Sequence, residues 1–380
     1  MLRFEPNGHR REVDFGPPPV AARAFHRRLP GYAPGPLHAL PGIAAELGLG
    51  KLWLKDESER FGLPAFKPLG ASWACYRVCV ERLGFEPAWT TLDELREAVA
   101  PLRPLAFVTA TDGNHGRAVA RVARWLGFEA RIFVPKGTAA ARISGIESEG
   151  ATVTVVDGSY DDAVTVAAGE AGAHALVISD TSWPGYTQVP SWITEGYETI
   201  FAEADEALAA FRERQPDIVV VQIGVGALAM AAAVHYRQDA DGPRMLGIEP
   251  ETAACVLESV VAGEIVSVPG PHESLMAGLN CGTPSLIAWP VMRDAFDAFC
   301  SIDDSYVKDA MRRLAAAGVV SGETGSSGLA AILALRESAD AWASLGLDGS
   351  SVLVLSTEGA TDPANYERIT GRTPEQVRAC

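Results

Sequence analysis

One lysine of the sequence stands among apolar and small neighbours, in Ala65-Phe66-Lys67-Pro68-Leu69-Gly70-Ala71-Ser72. A lysine taken out of water holds its proton less tightly, because burial disfavours the ammonium. Such an amine can attack a carbonyl and form a Schiff base. The alternative is a lysine whose stem packs on the surface while its ammonium reaches water. The stretch alone leaves both readings open. A helical pattern runs over residues 71–83, so Lys67 is expected just before a helix N-terminus. The helix dipole gives a cation no help there.

Four further stretches carry groups that could act on a small ligand. Gly224-Val225-Gly226-Ala227-Leu228-Ala229 follows an apolar run and precedes a helical one. Strand, glycine turn and helix together present backbone N–H groups to a phosphate. The loop fits either a dinucleotide, with Glu249 as the ribose-binding acid, or a single phosphate group. Thr111-Asp112-Gly113-Asn114-His115-Gly116 has the same setting. Asp112 or Asn114 either caps the next helix or serves a ligand. His115 is read as structural. Asp180 lies where a strand ends, so it either starts a turn or faces a cleft. Ser356, in Ser356-Thr357-Glu358-Gly359, either belongs to a turn or reaches a heteroaromatic nitrogen.

The elements that must position these groups alternate between strand and helix. Strand patterns occur at residues 51–55, 105–109, 131–134, 152–156, 176–180, 217–223, 244–250 and 351–355. Helical patterns lie between them, which predicts an α/β fold with open, mostly parallel sheets flanked by helices. Residues 37–49 read as one short helix, and residues 1–36, rich in Pro, Gly and Arg, as an extended arm. Lys55-Asp56-Glu57 reads as a charged surface segment. The expected division is a large domain of residues 1–104 and 187–380 with a small α/β domain of residues 105–186 inserted in it.

The net charge of −16 argues against a nucleic-acid surface or an anionic membrane as partner. No apolar run is long enough to span a bilayer. The N-terminal residues Arg3, Glu5, His9, Arg10 and Arg11 break any signal-peptide core. The six cysteines, at 75, 79, 255, 281, 300 and 380, form no CxxC pair. Cys75 and Cys79 read as core residues, and no metal centre is expected. Reduced thiols and a cytoplasmic location follow as expectations.

Taken together, these stretches resemble the fold-type II family of pyridoxal-phosphate enzymes, which includes the threonine and serine dehydratases. The likeness is carried by Ala65-Phe66-Lys67, Thr111-Asp112-Gly113-Asn114-His115-Gly116-Arg117, and Asp180-Thr181 with Trp183 and Gly185-Tyr186. It continues in Gly224-Val225-Gly226-Ala227, Met276-Ala277-Gly278-Leu279 with Cys281-Gly282, and Ser356-Thr357-Glu358-Gly359 with Thr361-Asp362. It spans roughly residues 35–370. The resemblance implies a large and a small α/β domain and pyridoxal 5'-phosphate bound covalently at Lys67. It further implies a ring-hydroxyl contact from Asn114, a phosphate cradle of Gly224, Val225, Gly226, Ala227 and Leu228, and Ser356 at the pyridine nitrogen. Asp112 and Asp180 match the acids assigned to proton transfer and substrate recognition. Within the family the chain resembles the diaminopropionate ammonia-lyases. That implies α,β-elimination of 2,3-diaminopropionate to pyruvate and two ammonia, carried out by a homodimer. A serine or threonine dehydratase of the same fold and a nicotinamide-dependent dehydrogenase using the Gly224–Ala229 loop are the competing readings.

Overall fold

Ile218–Gln222, a run of β-branched residues ending in glutamine, is buried along its whole length and forms the middle strand of the larger sheet. A strand covered on both faces needs such a continuous apolar run, and each fully buried valine stabilises by roughly 1.5–3 kcal/mol. The structure, a computed structural model, describes residues 2–238 and 242–379. Its strands are β1 (Arg3–Pro6), β2 (Leu37–Ala39), β3 (Lys51–Asp56), β4 (Ala106–Ala110), β5 (Glu129–Pro135), β6 (Thr152–Val156), β7 (Ala175–Val177), β8 (Ile218–Gln222), β9 (Arg244–Pro250), β10 (Ala298–Ile302) and β11 (Ser351–Ser356). They form a seven-stranded sheet in the order β1-β10-β9-β8-β11-β3-β2 and a four-stranded sheet in the order β6-β5-β4-β7. The four-stranded sheet is parallel throughout. In the larger sheet only the edge strands β1 and β2 run antiparallel to their neighbours.

The chain divides into two compact units. One comprises Met1–Pro18, Pro34–Glu59 and Ile200–Cys380 and holds the seven-stranded sheet; the other comprises Pro19–Ala33 and Arg60–Thr199 and holds the four-stranded sheet. These limits differ from the expected ones. Residues 60–104 and 187–199 pack in the smaller unit, because the helix Lys67–Leu83 lies against the helix Asn114–Leu126.

Other expectations need correction. The 37–49 stretch is not one helix: β2 comes first, then Pro41 opens the helix Pro41–Leu47. The N-terminal residues are not simply an arm. Arg3–Pro6 adds a strand to β10, and Ala21–His26 is a helix whose His26 Nε2 lies 2.9 Å from Leu69 O. β10 has no counterpart in the sequence reading, because its five residues are all buried and show no alternation. Lys55-Asp56-Glu57 is not a surface segment. The side chains of Lys55 and Glu57 are fully buried, and Lys55 Nζ reaches Gly35 O at 2.7 Å, Glu203 Oε2 at 2.8 Å and Glu57 Oε1 at 3.0 Å. Cys75, Cys79, Cys255, Cys281 and Cys300 are buried free thiols; Cys380 lies outside the described residues. Among the described residues no helix is long and apolar enough to cross a membrane, and no cluster of His, Cys, Asp and Glu could hold a metal ion.

Candidate active site

In the smaller unit Lys67 is the first residue of the helix Lys67–Leu83, which starts four residues before the expected 71 and so takes the lysine in, with Pro68 in the first turn. Proline suits that place, since its missing N–H would have no partner in the helix. Two glycines let this helix meet the segment carrying Tyr197. A Cβ on Gly70 would stand 2.5 Å from the Tyr197 ring, and one on Gly196 would stand 2.5 Å from Leu69 O. The Lys67 amine therefore lies 5.8 Å from the centre of the Tyr197 ring and 5.2 Å from that of Phe66.

Asp180 meets this amine at 2.6 Å, Oδ2 to Nζ. Asp180 follows β7, and its place is held by two neighbours in the sequence pattern. The Tyr186 hydroxyl accepts from Ser179 N–H at 3.0 Å and donates to Val177 O at 2.8 Å. Tyr186 is returned to that point by the turn Trp183-Pro184-Gly185-Tyr186, where Gly185 has φ +87°. His115 donates from Nε2 to Ile178 O at 2.7 Å. That bond leaves Nδ1 as the bare nitrogen, 3.9 Å from Asp180 Oδ2 and without a hydrogen-bond partner among the described residues. The Tyr160 hydroxyl lies 3.4 Å from the other carboxylate oxygen.

The charges settle one another. Burial pulls the Lys67 pKa down, as expected from the sequence, but Asp180 together with Tyr197 and Asp112 outweighs it and holds the ammonium well above the usual lysine range. Burial likewise pushes Asp180 up, and Lys67, with His115, carries it well below the usual carboxylate range. The sequence expectation of a lowered lysine pKa is thus reversed, because the counter-ion lies 113 positions away. Burial lowers the His115 pKa, so the ring is neutral near pH 7.

Asp112 lies in the turn before the helix Asn114–Leu126. Capping falls to Thr111, whose hydroxyl accepts from Gly113 N–H at 2.8 Å and Gly116 N–H at 3.0 Å. The Asp112 carboxylate faces Arg142 at 3.3 Å, and its charge also acts on Lys67 and His115. Asn114 is partly exposed at the first position of the helix. Lys67, Asp180, His115, Asp112 and Asn114 are therefore gathered in one unit.

In the larger unit Gly224, Val225, Gly226, Ala227 and Leu228 lead from β8 into the helix Ala227–Tyr236, with Gly226 at φ +105°. A Cβ on Gly224 would stand 2.9 Å from Gly278 O, and one on Gly226 would stand 2.6 Å from Met292 Cε. Gly278 N–H in turn donates to Thr324 Oγ1 at 3.2 Å. Ser356 ends β11, fully buried, with Oγ 2.8 Å from Ser321 Oγ. Gln222 donates to Leu355 O at 2.7 Å and so ties the loop after β8 to that strand end. The ribose role open to Glu249 is not available. Its carboxylate is buried and accepts from Val256 N–H at 2.8 Å and Leu257 N–H at 2.7 Å, which starts the helix Cys255–Ala262. Burial pushes its pKa up to about 8 against those two donors.

Sequence reasoning missed Arg142, Tyr160, Tyr197 and Ser321. Only Arg142 carries a local signal, a charged residue between Ala139-Ala140-Ala141 and Ile143; Tyr160, Tyr197 and Ser321 lie in polar stretches near a glycine, where nothing local sets them apart.

Comparison with known proteins places the chain in a family. Residues 28–356 match the family model described as pyridoxal-phosphate dependent enzyme. The chain is similar to diaminopropionate ammonia-lyase of Salmonella typhimurium, 39% identical over 366 residues that cover 91% of this chain and 90% of that protein. Its counterpart in Escherichia coli is 39% identical over 92% of this chain and 90% of its own length. The crystal structure of the Escherichia coli diaminopropionate ammonia lyase in complex with D-serine superposes with a TM-score of 0.89, at 34% identity and 97% coverage of both chains. By motif, fold and sequence alike, the chain belongs to the family of pyridoxal-phosphate-dependent enzymes.

Proposed function

We propose that this chain is an ammonia-lyase that removes the 3-amino group of 2,3-diaminopropionate by α,β-elimination, giving pyruvate and two ammonia. The observation that carries the reading is the pair of carboxylates acting on one amine, Asp180 at 2.6 Å from Lys67 Nζ and Asp112 by its charge. A substrate with a β-ammonium group is matched by anions. The resemblance gives hydroxy-amino-acid dehydratases a serine where Asp112 stands. The 39% identity to the diaminopropionate ammonia-lyase of Salmonella typhimurium supports the same substrate.

Pyridoxal phosphate is the cofactor of the family, and the residues present fit it. Lys67 supplies a primary amine. Gly224 and Gly226 leave a cradle that side chains would fill, at the start of a helix where N–H groups favour a phosphate. Ser356 offers a buried hydroxyl rather than an acid for the pyridine nitrogen. When bound, the cofactor supplies the electron sink for the substrate Cα.

The chain's own residues then have separate tasks. Lys67 holds the cofactor covalently and, once released, takes the Cα proton of one enantiomer. Asp112 takes that of the other. Gly224, Val225, Gly226, Ala227 and Leu228 hold the phosphate, and Asn114 the ring hydroxyl. The leaving nitrogen must carry a proton, and Asp180 keeps it there. The start of the helix Asn114–Leu126 receives the substrate carboxylate. We extend the family expectation to a homodimer in the cytoplasm.

The test is to load the purified protein with pyridoxal phosphate, add 2,3-diaminopropionate and count products. Two ammonia per pyruvate are expected; one per pyruvate from serine alone would favour a dehydratase. Lys67→Ala is expected to lose the covalent cofactor and all turnover, and full activity in that variant would end this reading.

A further inference from the structure

Arg142 stands directly behind Asp112. It belongs to the helix Ala140–Glu147, and its side chain is only 7% exposed. Its Nη1 lies 3.3 Å from Asp112 Oδ2 and 3.4 Å from Asp112 O. One guanidinium nitrogen thus holds both the carboxylate and the backbone of the same residue. The stem of Arg142 packs under the turn, where a Cβ on Gly113 would stand 3.1 Å from Arg142 Cδ. Gly113 holds φ +148°, which keeps that approach open to glycine.

The Asp112 side chain is 22% exposed, so its aim depends on the groups that hold it. A proton acceptor works only within about 2.6–3.2 Å of its target. Lys67 has its own anchor in Asp180, at 2.6 Å. The two acid/base groups of the proposed mechanism are therefore held by different partners. We infer that Arg142 is a positioning residue that aims the Asp112 carboxylate and thereby sets how turnover divides between the two enantiomers of the substrate. The inference rests on the function proposed above and assigns the Arg142 contact to the isomer served by Asp112, the D form.

The test uses the holoenzyme and its Arg142→Met and Arg142→Lys variants. For each, kcat and KM are measured on D- and L-2,3-diaminopropionate through pyruvate release. Losing a hydrogen bond to a charged group predicts about a 10- to 100-fold fall in kcat on the D isomer for Arg142→Met. KM and the L-isomer kcat are expected to stay within about 3-fold, since neither depends on that bond. Arg142→Lys keeps the charge but loses the planar guanidinium and its reach, so its D-to-L ratio is expected between those of wild type and Arg142→Met. Should Arg142→Met fail to fold, the ratio in Arg142→Lys decides alone. An equal loss on both isomers, or an unchanged ratio, overturns the inference. Wild-type protein inert on both isomers ends the proposed function and this inference with it; an active wild type with an unchanged ratio in the variants ends this inference only.

Discussion

Lys67 Nζ and Asp180 Oδ2 lie 2.6 Å apart, in a place where burial alone would lower the pKa of the amine. The carboxylate keeps the ammonium charged, and an ammonium cannot attack an aldehyde. Asp180→Asn removes the opposing charge and leaves burial to act. The Lys67 pKa then falls, so cofactor uptake is expected to reach its midpoint at lower pH than in wild type. Turnover should fall by roughly 10²–10⁴-fold, as when a positioned acid/base group is lost. Following cofactor absorbance across pH, with pyruvate release alongside, checks both. An unmoved uptake midpoint would show that Asp180 does not control the amine.

His115 gives the pH dependence of stability a definite sign. Its pKa in the folded chain lies below the ordinary 6.5, because the ring is buried. The unfolded chain therefore binds a proton first as pH falls. The stability tied to the neutral ring is fully present above pH 6.5 and is lost as pH drops towards the folded pKa. Asp180 and Lys67 keep their charges across that window, since both are shifted away from it. His115→Gln keeps an N–H for Ile178 O and does not titrate. Its melting temperature should change less between pH 6.5 and pH 5 than that of wild type; parallel curves would remove His115 as the source.

The glycine turns and the lysine were legible in the sequence because each is a local device. Gly113 and Gly226 are required by their own backbone angles, so strand, turn and helix announce them, and Gly224 is read with them although the carbonyl that excludes its side chain belongs to distant Gly278. The same holds for Ser356 at a strand end. What was not legible came from partners far along the chain. The charge of Lys67 is set by Asp180, the burial of Lys55 is made possible by Glu203, and Glu249 is occupied by the helix it starts. The short strands β1 and β2 also escaped notice, since three or four residues hold an edge only through the ladder of a neighbour. The domain limits were displaced because the helix at Lys67 packs on one that begins 47 positions later.

Gly226 tests the phosphate cradle. Its φ of +105° is costly for any residue with a Cβ, and that Cβ would meet Met292 Cε at 2.6 Å. The methionine end can move, but the backbone angle cannot be relieved without shifting the loop. Gly226→Ala is expected to destabilise by about 1–3 kcal/mol. It should also weaken binding of pyridoxal phosphate more than that of pyridoxal, which has no phosphate to place. Equilibrium titration with the two compounds measures the difference; equal weakening would remove this loop from phosphate binding.

Lys55 predicts a coupling between a buried charge cluster and the strand end that carries Ser356. Its ammonium lies within 3.0 Å of both Glu57 and Glu203, and all three side chains are fully buried. Glu57 N–H donates to Ser356 O at 2.8 Å, and β3 pairs with β11 up to Asp56 and Ser356. Removing the shared cation leaves two carboxylates in a dry place, which costs about 3–5 kcal/mol. Lys55→Met should therefore lower the denaturant midpoint by that equivalent. Adding Glu203→Gln removes one of the two charges, so the double variant is expected to be less destabilised than the sum of the single changes. Because the cluster backs the end of β3, Lys55→Met should also weaken cofactor affinity although no part of Lys55 belongs to the proposed cofactor contacts. Retained affinity with lowered stability would confine the cluster to folding, and additive single effects would show that the three charges act independently.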